Sequence, residues 1–332
     1  MTSAIVMRAA GGPEVLQWEP VAVAEPQAHE VALRHTAIGV NFHDAYVRSG
    51  LYKTLALPGI PGIEAAGVVE AVGRDVRDFR PGDRVAYVTR QYGAYAERRV
   101  IGADLLVPLP DGVSDIMAAS SLLKGLTAQM LVQRVYPIQK GDWVLVHAAA
   151  GGVGTLLCQW ARHLGANVIG TVGSPEKAPL ALAAGCHSVV RYREEDFVAR
   201  VHEITGGAGV QVAYDAVGKD TFFGSLQCLA PFGHLANYGQ ASGAVLAFEV
   251  SMLFPKSNSL SRPSVFQHVR TPALLREAAG RFFDACLEGA LDIQESQELP
   301  LRDAARAHAL LEDRARLRPL VLRPIEAPGP PA

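Results

Sequence analysis

Residues 144–154 read VLVHAAAGGVG and run on into TLLCQWARHLGA. A short apolar stretch of strand length feeds a run of small residues, and the run opens a segment whose apolar residues recur at helical spacing. On the dinucleotide pattern G-x-G-x-x-G the three key positions fall on Ala149, Gly151 and Gly154. The second lets the backbone approach a pyrophosphate, and the third lets the helix pack close against the strand. Free N–H groups at Gly152, Val153 and Gly154 then face the phosphate charge. Alanine at the first position weakens the bare motif, so the reading leans on its context: a strand before, a helix after and another strand at 167–172.

Outward from this turn the rhythm is strand, helix, strand, helix. Apolar segments at 188–190, 210–214 and 234–238 alternate with helical spacing at 176–184, 196–205 and 221–229, which predicts βαβ units on a parallel sheet. The first 120 or so residues behave differently. Segments 30–38, 65–72 and 83–88 alternate polar and apolar between turn signals such as Pro81-Gly82-Asp83, as the half-buried strands of an irregular barrel or sandwich do. After about residue 263 the chain returns to a helix at 273–288 and short strands at 298–301 and 320–323, and 326–332 (EAPGPPA) reads as a disordered tail. The expected layout is a β-rich domain from 1–124 and 265–332, with a doubly wound domain inserted at 125–264. Ligands bind in clefts between such parts.

Length and composition agree with a folded chain of two parts: 332 residues, 49% hydrophobic, 19% charged. Lys+Arg 31 against Asp+Glu 33 leaves a formal charge of −2, with no basic excess to attract nucleic acid or anionic lipid. The four cysteines, Cys158, Cys186, Cys228 and Cys286, show neither zinc spacing nor a disulfide framework. They read as thiols in a reducing compartment. The N-terminus does not read as a signal peptide, and the uncharged runs at 143–161 and 221–248 are broken by glycines, polar residues or Pro231. The cytoplasm is the expected location.

The tip of the second strand of the inserted domain selects the nucleotide. About 20 residues past the glycine turn, NAD-binding domains carry an acid for the ribose 2′-OH. This chain has Gly173 and Ser174 there, then Pro175, Glu176 and Lys177. A 2′-phosphate suits an acid-free tip with Ser174 donating and Lys177 supplying charge, so NADPH is expected. Glu176 is expected to point away as a first-turn acid, and Tyr192, after the third strand, to reach the same phosphate end.

The segments GGPEVL (11–16), AIGVNFHDAYVRSGLY (37–52), PGIEAAGVV (61–69), GDRVAY (82–87), LLKGLTA (122–128), HAAAGGVG (147–154) and GTVGSPEKA (170–178) resemble the NADPH:quinone oxidoreductases. These form the zeta-crystallin-like, zinc-free branch of the medium-chain dehydrogenase/reductases, and the resemblance covers nearly the whole chain. It implies a GroES-like catalytic domain with an inserted Rossmann domain, and a homodimer. It also implies that Asn41, Asp44, Tyr46 and Thr127 border the nicotinamide and that Gly151–154 take the pyrophosphate. Gly173, Ser174, Lys177 and Tyr192 would take the adenosine phosphate end. Val217, Tyr238, Gly239, Gln240, Ser264, Val265 and Phe266 would line the rest of the groove. Where the family often has a C-terminal Gly-Lys, this chain has Arg318-Pro319; Arg314 and Arg318 are alternatives for a contact there.

Zinc-dependent relatives place a cysteine and a histidine on the loops that here read 39–42 and 62–64, but no cysteine precedes residue 158, and His35 and His43 read as hydrogen-bonded or surface residues. Without metal, position and electrostatics must manage hydride transfer. A quinone is already electrophilic, and the charge growing on its oxygen calls for donors: the Asn41 amide and the Tyr46 and Tyr52 hydroxyls. Asp44 and Arg48 are expected to pair and fix the loop. One-electron and two-electron reduction both stay open. An enoyl or enone reductase of the same fold, with Tyr46 or Tyr52 giving the proton, is the alternative; a non-catalytic NADPH- or RNA-binding protein is a third. The segment 244–250 (AVLAFEV) is expected to be a late strand of the sheet whose edge pairs with a second copy.

Overall fold

The computed structural model describes residues 2–313 and 318–324, which leaves Arg314 and the 326–332 tail outside. The chain forms two compact units. One is built from the described parts of Met1–Leu123, Val269–Phe283 and Ile293–Ala332, the other from Lys124–His268 and Asp284–Asp292.

The first unit is organised by the strand Glu30–Val40, whose burial alternates along most of its length. It lies in a seven-stranded sheet between Leu320–Arg323 and Glu64–Val72, with Gln297–Pro300, Arg84–Val88 and Val107–Pro108 further out; Arg98–Gly102 pairs with its first half. Leu320, Val321 and Leu322 pair antiparallel with Val40, Gly39 and Ile38, so the end of the chain closes the sheet begun near its start. Leu33, Ile38, Tyr87, Tyr95, Ile101 and Leu322 pack in its core, each such residue contributing about 1.5–3 kcal/mol of apolar transfer. Two helices matter for the site: α1 (Phe42–Arg48), which starts directly after the long strand, and α2 (Asp115–Gln129), whose residues from Lys124 on belong to the second unit.

The second unit is a six-stranded sheet in the order Ser188–Arg191, Asn167–Val172, Trp143–Val146, Val210–Asp215, Leu229–Asn237, Ser259–Ser261. Every neighbouring pair is parallel. Leu145, Ile169, Val190, Ala213 and Leu235 are buried in its core; strands covered on both faces read as continuous apolar runs, which is why 144–146 carries no alternation. The glycine turn follows Trp143–Val146 and opens α3 (Gly152–His163).

The stretch 244–250 is not a strand. It is irregular and leads into a 3-10 turn at Val250–Lys256, with Leu246 and Val250 exposed. The edge position on Leu229–Asn237 is taken instead by Ser259–Ser261, which pairs with His234, Leu235 and Ala236. Apolar alternation is only half of a strand; the other half is a neighbour to pair with, which only the three-dimensional order supplies.

Candidate active site

In the second unit the strand order reverses between Trp143–Val146 and Val210–Asp215, the switch point beyond whose carboxyl ends α/β folds bind nucleotides. The expected residues follow the carboxyl ends of these parallel strands. Gly151–154 come after the first, Gly173 and Ser174 after Asn167–Val172, Tyr192 after Ser188–Arg191, Val217 after Val210–Asp215, Tyr238, Gly239 and Gln240 after Leu229–Asn237, and Ser264, Val265 and Phe266 after Ser259–Ser261. Thr127 lies in the last turn of α2.

The glycine turn is shaped by a close approach. A side chain at Gly154 would collide with the Ala148 carbonyl oxygen and the backbone of Ala149. The left-handed residue of the turn is Ala148, at φ +52°, so the alanine at 149 is no obstacle. Two loops are tied together by one residue the sequence reading missed. The buried Asp215 carboxylate accepts from the N–H groups of Val217 and Gly218 and from the Thr221 hydroxyl, while its carbonyl accepts from the N–H of Tyr238. The signal was available: an acid closing the apolar run VQVAYD.

The residues present fit a dinucleotide. The Tyr238 hydroxyl is buried without a hydrogen-bond partner among the described residues, a state that costs about 1–3 kcal/mol and that a ribose or phosphate oxygen would relieve; burial and the neighbouring Asp215 raise its pKa. At the nucleotide tip, a β-carbon on Gly173 would meet the Tyr192 ring at 3.5 Å, its hydroxyl at 3.7 Å and Arg193 Nε at 3.6 Å. Arg193 also stacks over the Tyr192 ring, 5.8 Å from its centroid. This cation was overlooked in the sequence, although it follows Tyr192 directly. Glu176 does not point away: the Ser174 hydroxyl bonds its carboxylate and, with Lys177 adding to the effect, lowers its pKa. Ser174 therefore faces an acid of its own chain.

In the first unit Asn41 caps α1. Its backbone N–H donates to Asp44 Oδ2 at 2.9 Å, and its side-chain amide donates to the buried Glu64 Oε2 at 2.7 Å. One of the amide hydrogens expected to meet substrate is thus committed to Glu64. Asp44 and Arg48 do not bond each other. Asp44 accepts from the Tyr95 hydroxyl at 3.3 Å, whereas Arg48 donates to the Glu312 carboxylate at 2.7 Å and to His308 Nδ1 at 3.3 Å. His308 Nε2 lies 2.9 Å from the Tyr95 hydroxyl. With Nδ1 accepting from Arg48, the chain of donors runs Arg48, His308, Tyr95, Asp44. Both acids were visible in the sequence, but which one faces the guanidinium depended on Ala304–Glu312 packing beside α1.

Tyr46 and Tyr52 come together edge to face, 5.2 Å between centroids, because the Tyr52 N–H donates to the Tyr46 carbonyl and folds the loop back on α1. Phe42 lies 6.3 Å from Tyr46, and His43 lies 5.5 Å from Tyr52 and 6.0 Å from Tyr92. The Tyr92 hydroxyl bonds both His43 Nε2 (3.0 Å) and Thr54 (2.6 Å). Burial, reinforced by Arg90, lowers the His43 pKa to about 4, so the ring is neutral at pH 7. This partly open aromatic rim is the shape a flat, conjugated acceptor would meet. His35 lies deeper, bonded through Nδ1 to the Ala96 carbonyl and through Nε2 to the Tyr87 hydroxyl. Arg318 lies 3.5 Å from Glu295.

Two family models match the chain. An alcohol dehydrogenase GroES-like domain covers 27–111, and a zinc-binding dehydrogenase domain covers 152–280. The zinc of the second description finds no ligand set here: no group of three or more His, Cys, Asp or Glu among the described residues could hold a metal ion. The chain is 46% identical over 318 residues to a quinone oxidoreductase of Salmonella typhimurium, covering 95% of this chain and 97% of that one. It is 42% identical to a 2-haloacrylate reductase of a Burkholderia species, covering 98% and 99%. The crystal structure of Escherichia coli quinone oxidoreductase complexed with NADPH superposes with a TM-score of 0.94 at 44% identity, covering 97% of this chain and all of that one.

Proposed function

The chain belongs to the quinone oxidoreductase family of the medium-chain dehydrogenase/reductases, and we propose that it is an NADPH-dependent reductase of quinones. The observation that carries this is the nucleotide tip at Gly173, where the Tyr192 hydroxyl and the Arg193 guanidinium gather and Lys177 follows on the next turn. Two cations suit a 2′-phosphate. Gly152, Val153 and Gly154 offer N–H groups to the pyrophosphate, the Gly151 N–H being held by the Ala148 carbonyl, and the Tyr238 hydroxyl gains a partner. Val217, Gly239, Gln240 and Ser264–Phe266 line the remainder, and Asn41, Asp44, Tyr46 and Thr127 serve the nicotinamide end.

NADPH, when bound, supplies the hydride. The protein's part is to orient the acceptor and to stabilise the charge that grows on its oxygen. The aromatic rim of Phe42, Tyr46, Tyr52 and Tyr92 holds a flat ring by its faces and edges. The Tyr46 and Tyr52 hydroxyls donate to the acceptor oxygen, and Asn41, half-committed to Glu64, fixes the start of α1. The proton comes from water.

The alternative acceptor is an activated alkene, the substrate type in the name of the Burkholderia relative. Arg90, whose charge acts on both His43 and Tyr92, favours an acceptor that carries a carboxylate. Oxidation of NADPH and NADH should be compared over 1,4-benzoquinone, 9,10-phenanthrenequinone, an alkenal, crotonyl-CoA and 2-chloroacrylate. Fast quinone turnover with NADPH is expected; inert quinones beside a fast alkene would overturn the quinone reading.

The partner is a small electrophile, not nucleic acid, and the protein works as a homodimer in the cytoplasm. The open edge at Ser259–Ser261 and the exposed Leu246, Val250 and Phe254 support the dimer. The four free thiols support the compartment, and among the described residues no helix is long and apolar enough to cross a membrane. Light scattering that returns a monomer at micromolar concentration would refute the dimer.

A further inference from the structure

Two cysteines far apart in sequence meet beside the glycine turn. Cys158 lies in the middle of α3 and Cys186 just before the strand Ser188–Arg191, yet their sulfurs are 3.4 Å apart. Both are free thiols. Cys158 is fully buried, whereas Cys186 keeps 6% exposure and borders a surface pocket lined with Arg162, Asn167 and His187. The Cys186 sulfur also packs against Gly170. A β-carbon there would lie 2.6 Å from that sulfur and 2.7 Å from the Ala149 side chain. Gly170 is therefore the thin spacer between the thiol pair and the phosphate turn.

We propose that Cys158 and Cys186 form a reversible disulfide when the protein meets hydrogen peroxide, and that this bond weakens coenzyme binding. The Cys186 sulfur, on the residue of the pair that lines the pocket, attacks one peroxide oxygen. The O–O bond breaks, the departing oxygen leaves as water, and Cys186 becomes a sulfenic acid. The Cys158 sulfur then attacks the Cys186 sulfur, the S–O bond breaks and a second water leaves. Two thiols are oxidised by two electrons and one peroxide is reduced. Contact with Cys186 and burial raise the Cys158 pKa, which assigns it the second step, where proximity compensates for weak nucleophilicity.

Bond formation draws the sulfurs from 3.4 Å to about 2.05 Å. Cys186 moves toward α3 and away from Gly170, and the packing beneath Ala149 loosens. Oxidation and coenzyme binding therefore oppose each other, and bound coenzyme disfavours the disulfide by the same factor.

The test treats the purified full-length protein with hydrogen peroxide and follows intact mass, unreduced peptide maps and NADPH affinity by fluorescence titration. The expected result is loss of two hydrogens, a cross-link between the peptides holding Cys158 and Cys186, and NADPH binding weaker by about five-fold or more. Dithiothreitol should reverse all three. Cys186→Ser should bind NADPH as the reduced protein does and show neither cross-link nor loss of affinity. Three outcomes would each overturn the proposal: Cys186 advancing to sulfinic acid with Cys158 still alkylatable, Cys286 oxidised before the pair, or a cross-link that leaves NADPH affinity unchanged. None of these readouts involves an acceptor, so the result stands apart from whether quinones are the substrates.

Discussion

The buried Glu64 carboxylate accepts from the Asn41 side-chain amide at 2.7 Å with one oxygen and from the Leu123 backbone N–H at 2.6 Å with the other. It joins the N-cap of α1 to the middle of α2, so the start of the helix that carries Tyr46 is fixed by an acid well away in sequence. Glu64→Gln keeps the shape but can accept with one atom only, leaving an NH₂ group facing an N–H donor. A stability loss of about 1.5–3 kcal/mol is expected, with a several-fold drop in kcat/KM for quinone. Thermal melting checks the first and steady-state kinetics the second; an unchanged Tm would show that the carboxylate does not anchor the helix.

Lys177→Ala should raise the KM for NADPH by roughly ten-fold, about 1.4 kcal/mol, with little change for NADH. Arg193→Ala should do the same through the guanidinium beside Gly173 and Tyr192. Equal losses with both coenzymes, measured side by side, would contradict a role at the 2′-phosphate.

Three imidazoles give stability a pH dependence. Burial is the first cause in each: it lowers His35 and His308 to about 3 and His43 to about 4, from an ordinary 6.5. Arg48 beside His308, and Arg90 near His43, push the same way. The unfolded chain therefore takes up protons that the folded chain refuses. Their contribution is whole above about 6.5 and is lost as the pH falls through about 4 and then about 3. Denaturant titrations near pH 5 should show proton uptake on unfolding, roughly three of the protons coming from these rings, with His147 and His234, also lowered by burial, adding in the same direction. A flat unfolding free energy across that interval would contradict the burial of these rings.

Two glycine substitutions should part company. Gly154→Ala forces a methyl group into the Ala148 carbonyl and should lower Tm while raising the NADPH KM at least about ten-fold. Gly280→Ala, inside Pro272–Leu287, meets nothing within 4 Å and should stabilise the helix by about 0.5–1 kcal/mol. Circular dichroism melts of both proteins decide this; a tolerated alanine at 154 would mean that the turn opens freely.

The sequence alone determined what depends on neighbours a few residues away. The apolar run, glycine turn and helix of 144–164 announced the parallel sheet, because strand and helix periods are local and a tight turn needs small residues wherever it occurs. The lack of an acid at positions 173 and 174 and the lack of early cysteines were equally plain, but that Glu176 turns back to Ser174 was not. Tertiary structure decided every pairing across the chain: Asp215 drawing two loops together, Glu64 taking an Asn41 hydrogen, Arg48 choosing Glu312 over Asp44. It moved the sheet edge from 244–250 to Ser259–Ser261, and it set Cys158 against Cys186. Periodicity shows which face a residue presents to its own element. A hydrogen bond or thiol contact depends on which other element arrives there, and that is fixed only when the whole core packs.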